Sequence, residues 1–200
     1  MLARAAVPLV TLDTSIELAR PFDRELPAAL ELASEWGTST VRVFGGESPA
    51  LDDIARRLEP VLARAAELGV TVALETHDSF ASAVHVGELL RRVDNPSFAA
   101  LWDVHHPYRV GESPDDVLRA LDTRIHLVHV KDALRRDDGW QLVPLGEGEV
   151  PVRESLAALA ASGYDGWLTV EWEKRWHPEL AEPDVALPRE LETLRGWLKV

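Results

Sequence analysis

The chain has 200 residues, of which 46% are hydrophobic and 28% are charged, so it is long and apolar enough to bury the core of a folded domain. Acidic residues outnumber Lys and Arg by 34 to 21, and the formal charge of −13 repels the phosphates of nucleic acids, so we expect no DNA or RNA partner. The absence of cysteine excludes disulfides, a thiol nucleophile and cysteine-ligated metals, so any bound metal must be held by His and carboxylate side chains.

Short apolar or β-branched runs alternate with helical patterns along the chain. The runs predict six strands, at residues 7–12, 39–44, 70–74, 99–102, 125–130 and 167–170. Helical spacing predicts helices at residues 25–36, 51–68, 82–93, 115–121 and 153–161, with a last one near 188–198. This alternation is typical of a parallel sheet with crossover helices. No linker or repeat divides the chain, so we predict one α/β domain over residues 1–200.

Local signals indicate where two of these helices begin and end. Ser48-Pro49 and Ser113-Pro114 each place a capping side chain and a proline at a first helical turn, where the missing N–H of proline costs nothing. Pro60 lies inside the second helical pattern, and we expect it to kink or split that helix.

The sequence shows no signal peptide and no membrane span. The first ten residues carry Arg4 and a short apolar stretch that Pro8 interrupts, and no later apolar stretch is long enough to cross a bilayer. We therefore expect a soluble, cytoplasmic protein without a membrane partner.

Polar side chains follow four successive predicted strands, at the carboxyl ends that meet at one rim of a parallel sheet. The segments are Glu75-Thr76-His77-Asp78, Asp103-Val104-His105-His106, His129 with Lys131-Asp132, and Glu171-Trp172-Glu173. Any one of them alone is more often a helix cap, a solvated loop or a core histidine. Four desolvated polar groups together would repel one another or lack partners, and a cation between them removes that cost.

Three carboxylates and one imidazole form a mostly oxygen ligand set. Such a set suits Mn²⁺, Mg²⁺ or Co²⁺ in octahedral geometry, with positions left for substrate or water, and Zn²⁺ stays open. We therefore predict a site for one divalent metal ion at this rim.

Five motifs occur in order: Glu75-x-His77, Asp103-x-x-His106, His129-x-Lys131-Asp132, Gly146-Glu147-Gly148 and the strand-end Glu171. In this order they resemble the xylose isomerase-like TIM-barrel superfamily of sugar isomerases and epimerases, over roughly the last three-quarters of the chain. The resemblance implies a (β/α)8 barrel. It implies one divalent ion held by Glu75, Asp103, His129 and Glu171, of which Glu75 and Glu171 also move the substrate proton. It implies substrate contacts from His106 and Arg135, and we add His77, which lies two residues beyond Glu75.

The chemistry implied by the resemblance acts on a small sugar or hydroxy-ketone. A metal chelated by the carbonyl and a neighbouring hydroxyl stabilises the enediolate that forms when the adjacent carbon loses its proton. Return of that proton gives an epimer or an isomer, whereas loss of hydroxide gives the product of an inosose or dehydroshikimate dehydratase. We predict a sugar isomerase or epimerase, with such a lyase and a non-catalytic barrel fragment as the alternatives.

Two features depart from the family pattern. The family barrel has eight strands and this chain predicts six, so we expect an upstream start, a homo-oligomer or other partner that completes the sheet, or a poorly folding remnant. The related endonuclease IV branch carries an Asp-x-His zinc pair before the glycine loop, where this chain reads Trp140-Gln141-Leu142-Val143-Pro144. We therefore expect no multi-zinc site and no phosphodiesterase activity on DNA.

Several side chains have competing roles at this stage. Glu173 shares a strand face with Glu171 and is its main rival as a ligand. Lys131-Asp132 either orients His129 by a hydrogen bond or forms a surface ion pair. For three tryptophans we favour core packing over a wall that faces a sugar: Trp102, Trp167 and Trp172. For His85 and His126 we favour structural roles.

Overall fold

The computed structural model describes residues 7–47 and 50–198. The strands are Leu12–Glu17 (β1), Thr40–Phe44 (β2), Thr71–Glu75 (β3), Phe98–Asp103 (β4), Ile125–Val130 (β5), Asp132–Arg136 (β6), Gly139–Val143 (β7) and Trp167–Val170 (β8). The α-helices are Glu25–Trp36 (α1), Leu51–Leu68 (α2), Ala83–Val93 (α3), His105–Arg109 (α4), Pro114–Leu121 (α5), Val152–Ser162 (α6) and Pro183–Leu198 (α7). Two short 3-10 helices span Asp78–Phe80 and Asp122–Arg124.

Six strands form one parallel sheet in the order β1-β2-β3-β4-β5-β8, while β6 and β7 form a separate antiparallel hairpin. The sheet is strongly curled, because Thr40 Oγ1 on β2 lies 2.9 Å from His126 Nε2 on β5 although two strands separate them. Within the described residues β1 and β8 are the two edges. The fold is therefore the predicted TIM-barrel type, present as a six-stranded partial barrel with helices outside.

The convex face of the sheet carries the main hydrophobic core. Because strand side chains alternate between faces, residues such as Val72 and Leu74 on β3 and Trp102 on β4 pack against the helices. Leu58 and Leu62 of α2 belong to the same buried cluster. Full burial of a side chain of this size contributes about 1.5–3 kcal/mol, so this face supplies most of the apolar stabilisation.

The concave face has a much smaller apolar layer. Ala73 on β3, Leu101 on β4 and Leu127 on β5 form a separate buried cluster inside the curl. Two residues further along each strand the concave position is polar. The alternation that builds the convex core therefore also aligns polar side chains at the carboxyl end of the concave face.

For five of the six predicted strands, both the first and the last residue lie within one residue of the observed bounds. The prediction for the first strand is wrong. The structure places β1 at Leu12–Glu17 instead of residues 7–12. Since β1 is an edge strand with polar or exposed residues at alternate positions, including Asp13 and Ser15, it lacks the apolar run by which the buried strands are recognised.

Helices α1 and α2 have the predicted bounds, but α2 continues through Pro60 as one helix, so the predicted split is wrong. The exposed position of Pro60 leaves the core-facing side of the helix intact. The Ser113 cap is confirmed, because the Asp116 N–H donates to Ser113 Oγ and the Ser113 N–H donates to Asp116. The predicted Ser48-Pro49 cap lies outside the described residues.

Three features differ from the predicted element order. The β6–β7 hairpin and the short helix α4 were not predicted, and α7 begins at Pro183 rather than near residue 188. Over residues 7–47 and 50–198, no helix combines the length and the apolar composition needed to cross a membrane.

Candidate metal centre

Four side chains from four strand ends converge on the concave face. One ligand atom from each of Glu75, Asp103, His129 and Glu171 lies within 4.8 Å of the other three. Glu75, Asp103 and His129 are buried, whereas the side chain of Glu171 is 24% exposed, so the cluster opens to solvent on the Glu171 side. The structure thus brings together the four residues that the sequence analysis assigned as ligands.

Strand register explains this convergence. Asp103 on β4 and His129 on β5 are direct cross-strand partners. Glu75 is the last residue of β3, and the Glu171 N–H donates to Val130 O at 3.0 Å, which continues the β5–β8 ladder one residue beyond β8. Because neighbouring parallel strands end at the same level and share one side-chain face, their polar ends meet at one place.

Asp103 is held by two hydrogen bonds, one from its backbone N–H and one to its carboxylate. The Asp103 N–H donates to Thr76 Oγ1 at 2.9 Å, which ties the end of β4 to the end of β3. Asp103 Oδ1 accepts the His105 N–H at 2.9 Å, at the start of α4. These hydrogen bonds, together with the Lys131 ammonium group 2.9 Å from Oδ2, hold the Asp103 carboxylate in place.

His129 has the surroundings expected of a metal ligand. Neither ring nitrogen has a hydrogen-bond partner among the described residues, although the imidazole is buried. His129 Nδ1 lies 3.9 Å from Glu75 Oε1 and 3.8 Å from Glu171 Oε1, too far for hydrogen bonds. Two atoms that each lie about 2.0–2.2 Å from one ion are roughly 3–4.4 Å apart, so these separations suit two ligands of a shared cation.

The charges of the cluster also favour a cation. Burial raises the pKa of Glu75 well above its ordinary value, and the negative charge of Glu171 raises it further, while Arg42 opposes both. A divalent ion among these carboxylates would act in the same direction as Arg42. Donor types, spacing and charge therefore all fit one divalent metal ion.

The Lys131 ammonium group lies among the acidic side chains. Its Nζ is 2.9 Å from Asp103 Oδ2, 2.7 Å from Glu171 Oε2 and 2.6 Å from Glu173 Oε1. Burial lowers the pKa of Lys131, but these three carboxylates outweigh burial and hold the pKa well above its usual value. Both roles predicted for Lys131 are wrong: the side chain is buried rather than part of a surface ion pair, and it contacts carboxylates instead of His129.

Asp132 holds the glycine loop that follows the hairpin. Asp132 Oδ2 accepts the N–H groups of Gly146 at 2.9 Å and Gly148 at 3.0 Å, and Oδ1 accepts that of Val150 at 3.2 Å. A Cβ atom on Gly148 would lie 2.0 Å from Asp132 Oδ1, so only glycine fits there. The predicted partnership of Asp132 with His129 is therefore wrong, because the carboxylate satisfies backbone N–H groups of residues 146–150.

Two of the three predicted substrate contacts line one side of the cluster. The His106 ring is 4.4 Å from the His77 ring, and His106 Nε2 is 3.4 Å from Lys131 Nζ. The His77 ring in turn contacts the Phe44 ring at a centroid distance of 4.5 Å. Burial and the nearby Lys131 charge lower the pKa of His106 and so favour the neutral imidazole. A substrate role for His77 and His106 stays a prediction, with a position beside the cluster in its favour.

Arg135, the third predicted substrate contact, lies elsewhere. It is exposed on β6, its N–H donates to Glu149 Oε1 at 2.7 Å, and its guanidinium group is 6.0 Å from the centre of the Trp140 ring. Within residues 7–47 and 50–198 the structure shows no contact between Arg135 and the four clustered side chains. Its substrate role stays a prediction that this arrangement does not support.

The structure distinguishes Glu171 from Glu173 as a ligand and shows how buried the three tryptophans are. Glu171 joins the four-residue cluster, whereas Glu173 contacts Lys131 and lies 3.6 Å from His177 Nε2. Trp102 is buried as predicted, but Trp167 is 57% exposed, because it lies on the edge strand β8. The Trp172 indole is partly buried and donates to Ala181 O at 2.9 Å.

Sequence reasoning missed Arg42, which lies next to the cluster on β2. Arg42 Nε is 3.3 Å from Glu75 Oε2. The available signal was a charged residue inside the otherwise apolar run Thr40-Val41-Arg42-Val43-Phe44, at the position that alternation places on the concave face.

Known proteins with similar sequences or structures include sugar-modifying enzymes. Residues 6–198 match the family model described as xylose isomerase-like TIM barrel. An inosose dehydratase of Lacticaseibacillus casei is 26% identical over 163 residues, which cover 70% of this chain and 54% of that protein. A fructoselysine 3-epimerase of Escherichia coli O157:H7 is 26% identical over 150 residues, which cover 72% of this chain and 52% of that protein.

Among solved structures, the xylose isomerase domain protein from Planctomyces limnophilus superimposes with a TM-score of 0.80 at 25% sequence identity. The superposition covers 98% of this chain and 79% of that one. The chain spans about half the length of the curated relatives that it matches.

Proposed function

The chain belongs to the xylose isomerase-like TIM-barrel family, and from that premise we propose that it is a divalent-metal-dependent sugar isomerase or epimerase. Its reaction would move a proton at the carbon next to the carbonyl of a small polyhydroxy ketone. The observation that carries this proposal is the convergence of Glu75, Asp103, His129 and Glu171 within 4.8 Å of one another.

These four residues would hold the ion, Mn²⁺, Mg²⁺ or Co²⁺ by the oxygen-rich donor set, with Zn²⁺ as a further option. When bound, the ion would polarise the substrate carbonyl and stabilise the negative charge that develops on its oxygen as the proton leaves. The buried walls on the Glu75 side would exclude water, so substrate would enter from the side where Glu171 is exposed.

Two glutamates are available to move the proton. Glu171 has Oε2 held by Lys131 at 2.7 Å, so Oε1, which faces His129 and would also face the ion, is the oxygen that would accept a proton from substrate. Glu75 has one oxygen beside Arg42 and the other facing His129. Transfer from one face of the carbon to one glutamate and back from the other glutamate on the opposite face gives epimerisation. Return of the proton to the former carbonyl carbon, with the proton of the neighbouring hydroxyl passing to the former carbonyl oxygen, gives aldose–ketose isomerisation.

A second candidate function, dehydration of the same kind of substrate, is favoured by Lys131. Elimination requires that a base remove the proton next to the carbonyl and that an acid protonate the hydroxyl that leaves with the C–O bonding electrons, so that water is released. The position of Lys131 suits this role, because its ammonium group lies inside the cluster with Nζ 2.7 Å from Glu171 Oε2. The similarity to an inosose dehydratase supports this alternative.

Proton exchange in heavy water tests the shared first step of both functions. The protein is stripped of metal with EDTA, reloaded with Mn²⁺ or Co²⁺, and incubated in D₂O with ketoses, inososes and keto-acids while deuterium incorporation is followed by mass spectrometry. We expect metal-dependent exchange that falls about 100-fold or more in Glu171→Gln and is unchanged in the exposed-site control Glu35→Gln. Exchange that persists in EDTA, or no exchange with any substrate in a folded, metal-loaded protein, would contradict the proposal.

Product analysis of an active substrate then separates the two functions. A product of equal mass indicates an isomerase or epimerase. A product that has lost water indicates a dehydratase, and Lys131→Met should then slow water loss more than proton exchange, because Lys131 would supply the acid of the elimination and only orient Glu171 in the exchange.

A further inference from the structure

We infer that Arg42 is a positioning residue of the metal centre, which holds Glu75 so that one of its oxygens faces His129 and the ion. This inference rests on the proposed metal site, because it concerns how one of the four ligands is oriented. It assigns a function to a strand residue that lies outside every motif of the sequence analysis.

The location of Arg42 is unusual for a charged residue. It occupies the middle of β2, and its side chain is only 13% exposed. Neighbouring Val41 and Val43 belong to the convex hydrophobic core, so alternation directs Arg42 to the concave face. A buried guanidinium group carries a large desolvation cost unless nearby negative charges compensate it.

The compensating charges are those of Glu75 and Asp13. Arg42 Nε lies 3.3 Å from Glu75 Oε2 and 3.7 Å from Asp13 Oδ1. Neither Nε nor Nη1 forms a hydrogen bond within the described residues, so the attraction to Glu75 is that of an ion pair. The Phe44 ring lies below the guanidinium group at 4.1 Å from its central carbon and restricts its movement.

In each of the three carboxylates of the cluster, a neighbouring group contacts at least one oxygen. Asp103 has Oδ1 engaged by the His105 N–H, and Glu171 has Oε2 engaged by Lys131. Glu75 has Oε2 beside Arg42, while Oε1 approaches His129 Nδ1. Each carboxylate thus has at least one oxygen held by a neighbour, and Asp103 has both held, because Lys131 Nζ lies 2.9 Å from its Oδ2. Arg42 supplies for Glu75 what a backbone N–H supplies for Asp103 and what Lys131 supplies for Glu171.

An arginine suits this position better than a lysine. The guanidinium group is planar, stays charged and can stack on an aromatic ring while it faces a carboxylate. A lysine would keep the charge and lose the stacking on Phe44. Removal of the charge would leave Glu75 less firmly oriented, and loss of such an outer contact typically costs about 10- to 100-fold in metal affinity.

Calorimetric titration of Mn²⁺ into the EDTA-stripped full chain measures this affinity without reference to activity. We expect Arg42→Met to weaken Mn²⁺ binding about 10- to 100-fold and Arg42→Lys to weaken it several-fold less than Arg42→Met does. The matched control is Arg56→Met on α2, an exposed arginine paired with Asp53, which should bind Mn²⁺ as the wild type does. Circular dichroism on each protein confirms folding before titration.

A double substitution separates positioning of Glu75 from a general effect on the fold. In a Glu75→Gln background, titrated with millimolar Mn²⁺ so that its weakened affinity is still measured, Arg42→Met should change Mn²⁺ affinity less than about twofold, because the carboxylate that Arg42 orients is gone. A full additional loss in that background would overturn the inference. If Arg42→Met does not fold, Arg42→Gln takes its place in both measurements.

The outcomes distinguish the inference from the function on which it rests. A wild-type chain that binds no Mn²⁺, Co²⁺, Mg²⁺ or Zn²⁺ overturns the proposed metal site, and the inference with it. A wild-type chain that binds Mn²⁺ while folded Arg42→Met or Arg42→Gln binds it equally well overturns the inference alone.

Discussion

The two faces of the curled sheet carry opposite kinds of side chain, although the same strands supply both. On the convex face, residues such as Leu74 and Trp102 are buried in the core formed with the helices. The next residue on each of these strands, Glu75 and Asp103 respectively, lies on the concave face and places its charge in a buried cluster. Along one strand, alternate side chains therefore either pack in the core and stabilise the fold or contribute to the charged cluster. Substitutions one residue apart should consequently have separable effects on unfolding and on metal binding.

The largest expected effect comes from the convex face. Trp102→Ala removes a fully buried indole and leaves a cavity, so we expect the free energy of unfolding to fall by about 3–5 kcal/mol in urea titrations. Trp176→Ala is the matched control, because Trp176 is 71% exposed, and we expect a change within about 0.5 kcal/mol. Equal losses from the two substitutions would break the distinction between core and surface.

A second effect concerns the loop that follows the hairpin. Asp132→Ala leaves backbone N–H groups at Gly146, Gly148 and Val150 without their acceptor, and we expect a loss of about 2–4 kcal/mol in the same titration. Asp132→Asn keeps one acceptor oxygen and should lose less than half as much. Wild-type stability in Asp132→Ala would contradict the anchoring role.

The concave face should behave differently from both. Asp103→Asn removes a ligand charge without creating a cavity, so we expect the free energy of unfolding in EDTA to change by less than about 2 kcal/mol, while Mn²⁺ binding is lost. The measurement pairs a urea titration in EDTA with Mn²⁺ calorimetry. A large loss of stability in EDTA with metal affinity retained would reverse the roles that we assign to the two faces.

The smallest effect concerns a buried carboxylate on α7. Glu190 Oε2 accepts the Leu145 N–H at 2.8 Å, Oε1 has no hydrogen-bond partner in the described residues, and burial raises the pKa of Glu190. A carboxyl group with a raised folded-state pKa stabilises the protein below its ordinary pKa, and this contribution is lost as the pH rises through the raised value. Glu190→Gln should therefore gain on the order of 0.5 kcal/mol over wild type at pH 7 and nothing below about pH 4. A gain independent of pH would exclude ionisation of Glu190 as the cause.

Burial explains which parts of the fold the sequence predicts. The central strands β3, β4 and β5 are covered on both faces, so they form apolar runs whose bounds are predicted within one residue. The edge strand β1 has no such run and was misplaced. The β6–β7 hairpin carried a usable signal, because its two-residue turn Asp137-Asp138 and the following Gly139 are turn-forming residue types, but no strand was predicted on either side of them.

The site was predictable to the extent that strand ends determine it. Glu75, Asp103 and His129 lie at the ends of buried strands, and Glu171 follows the edge strand β8. Strand register brings such positions together. The contacts of Lys131 with three carboxylates depend on how a flexible side chain folds over its neighbours, which strand pattern does not reveal. Arg42 could have been found, because a charge within an apolar strand requires a partner on the concave face.

The central claim is that the four clustered side chains bind one divalent ion, and two neighbouring glutamates allow a direct test. Glu171 and Glu173 both contact Lys131 and are equally exposed, but only Glu171 belongs to the cluster. The measurement is thermal melting in EDTA and then with excess Mn²⁺, for the wild type, Glu171→Gln and Glu173→Gln. A ligand that binds only the folded protein stabilises it by about 2.7 kcal/mol at a free concentration 100 times its Kd. We expect Mn²⁺ to raise the melting temperature of the wild type and Glu173→Gln and to leave that of Glu171→Gln unchanged. No rise in the wild type, or an equal rise in Glu171→Gln, would contradict the account.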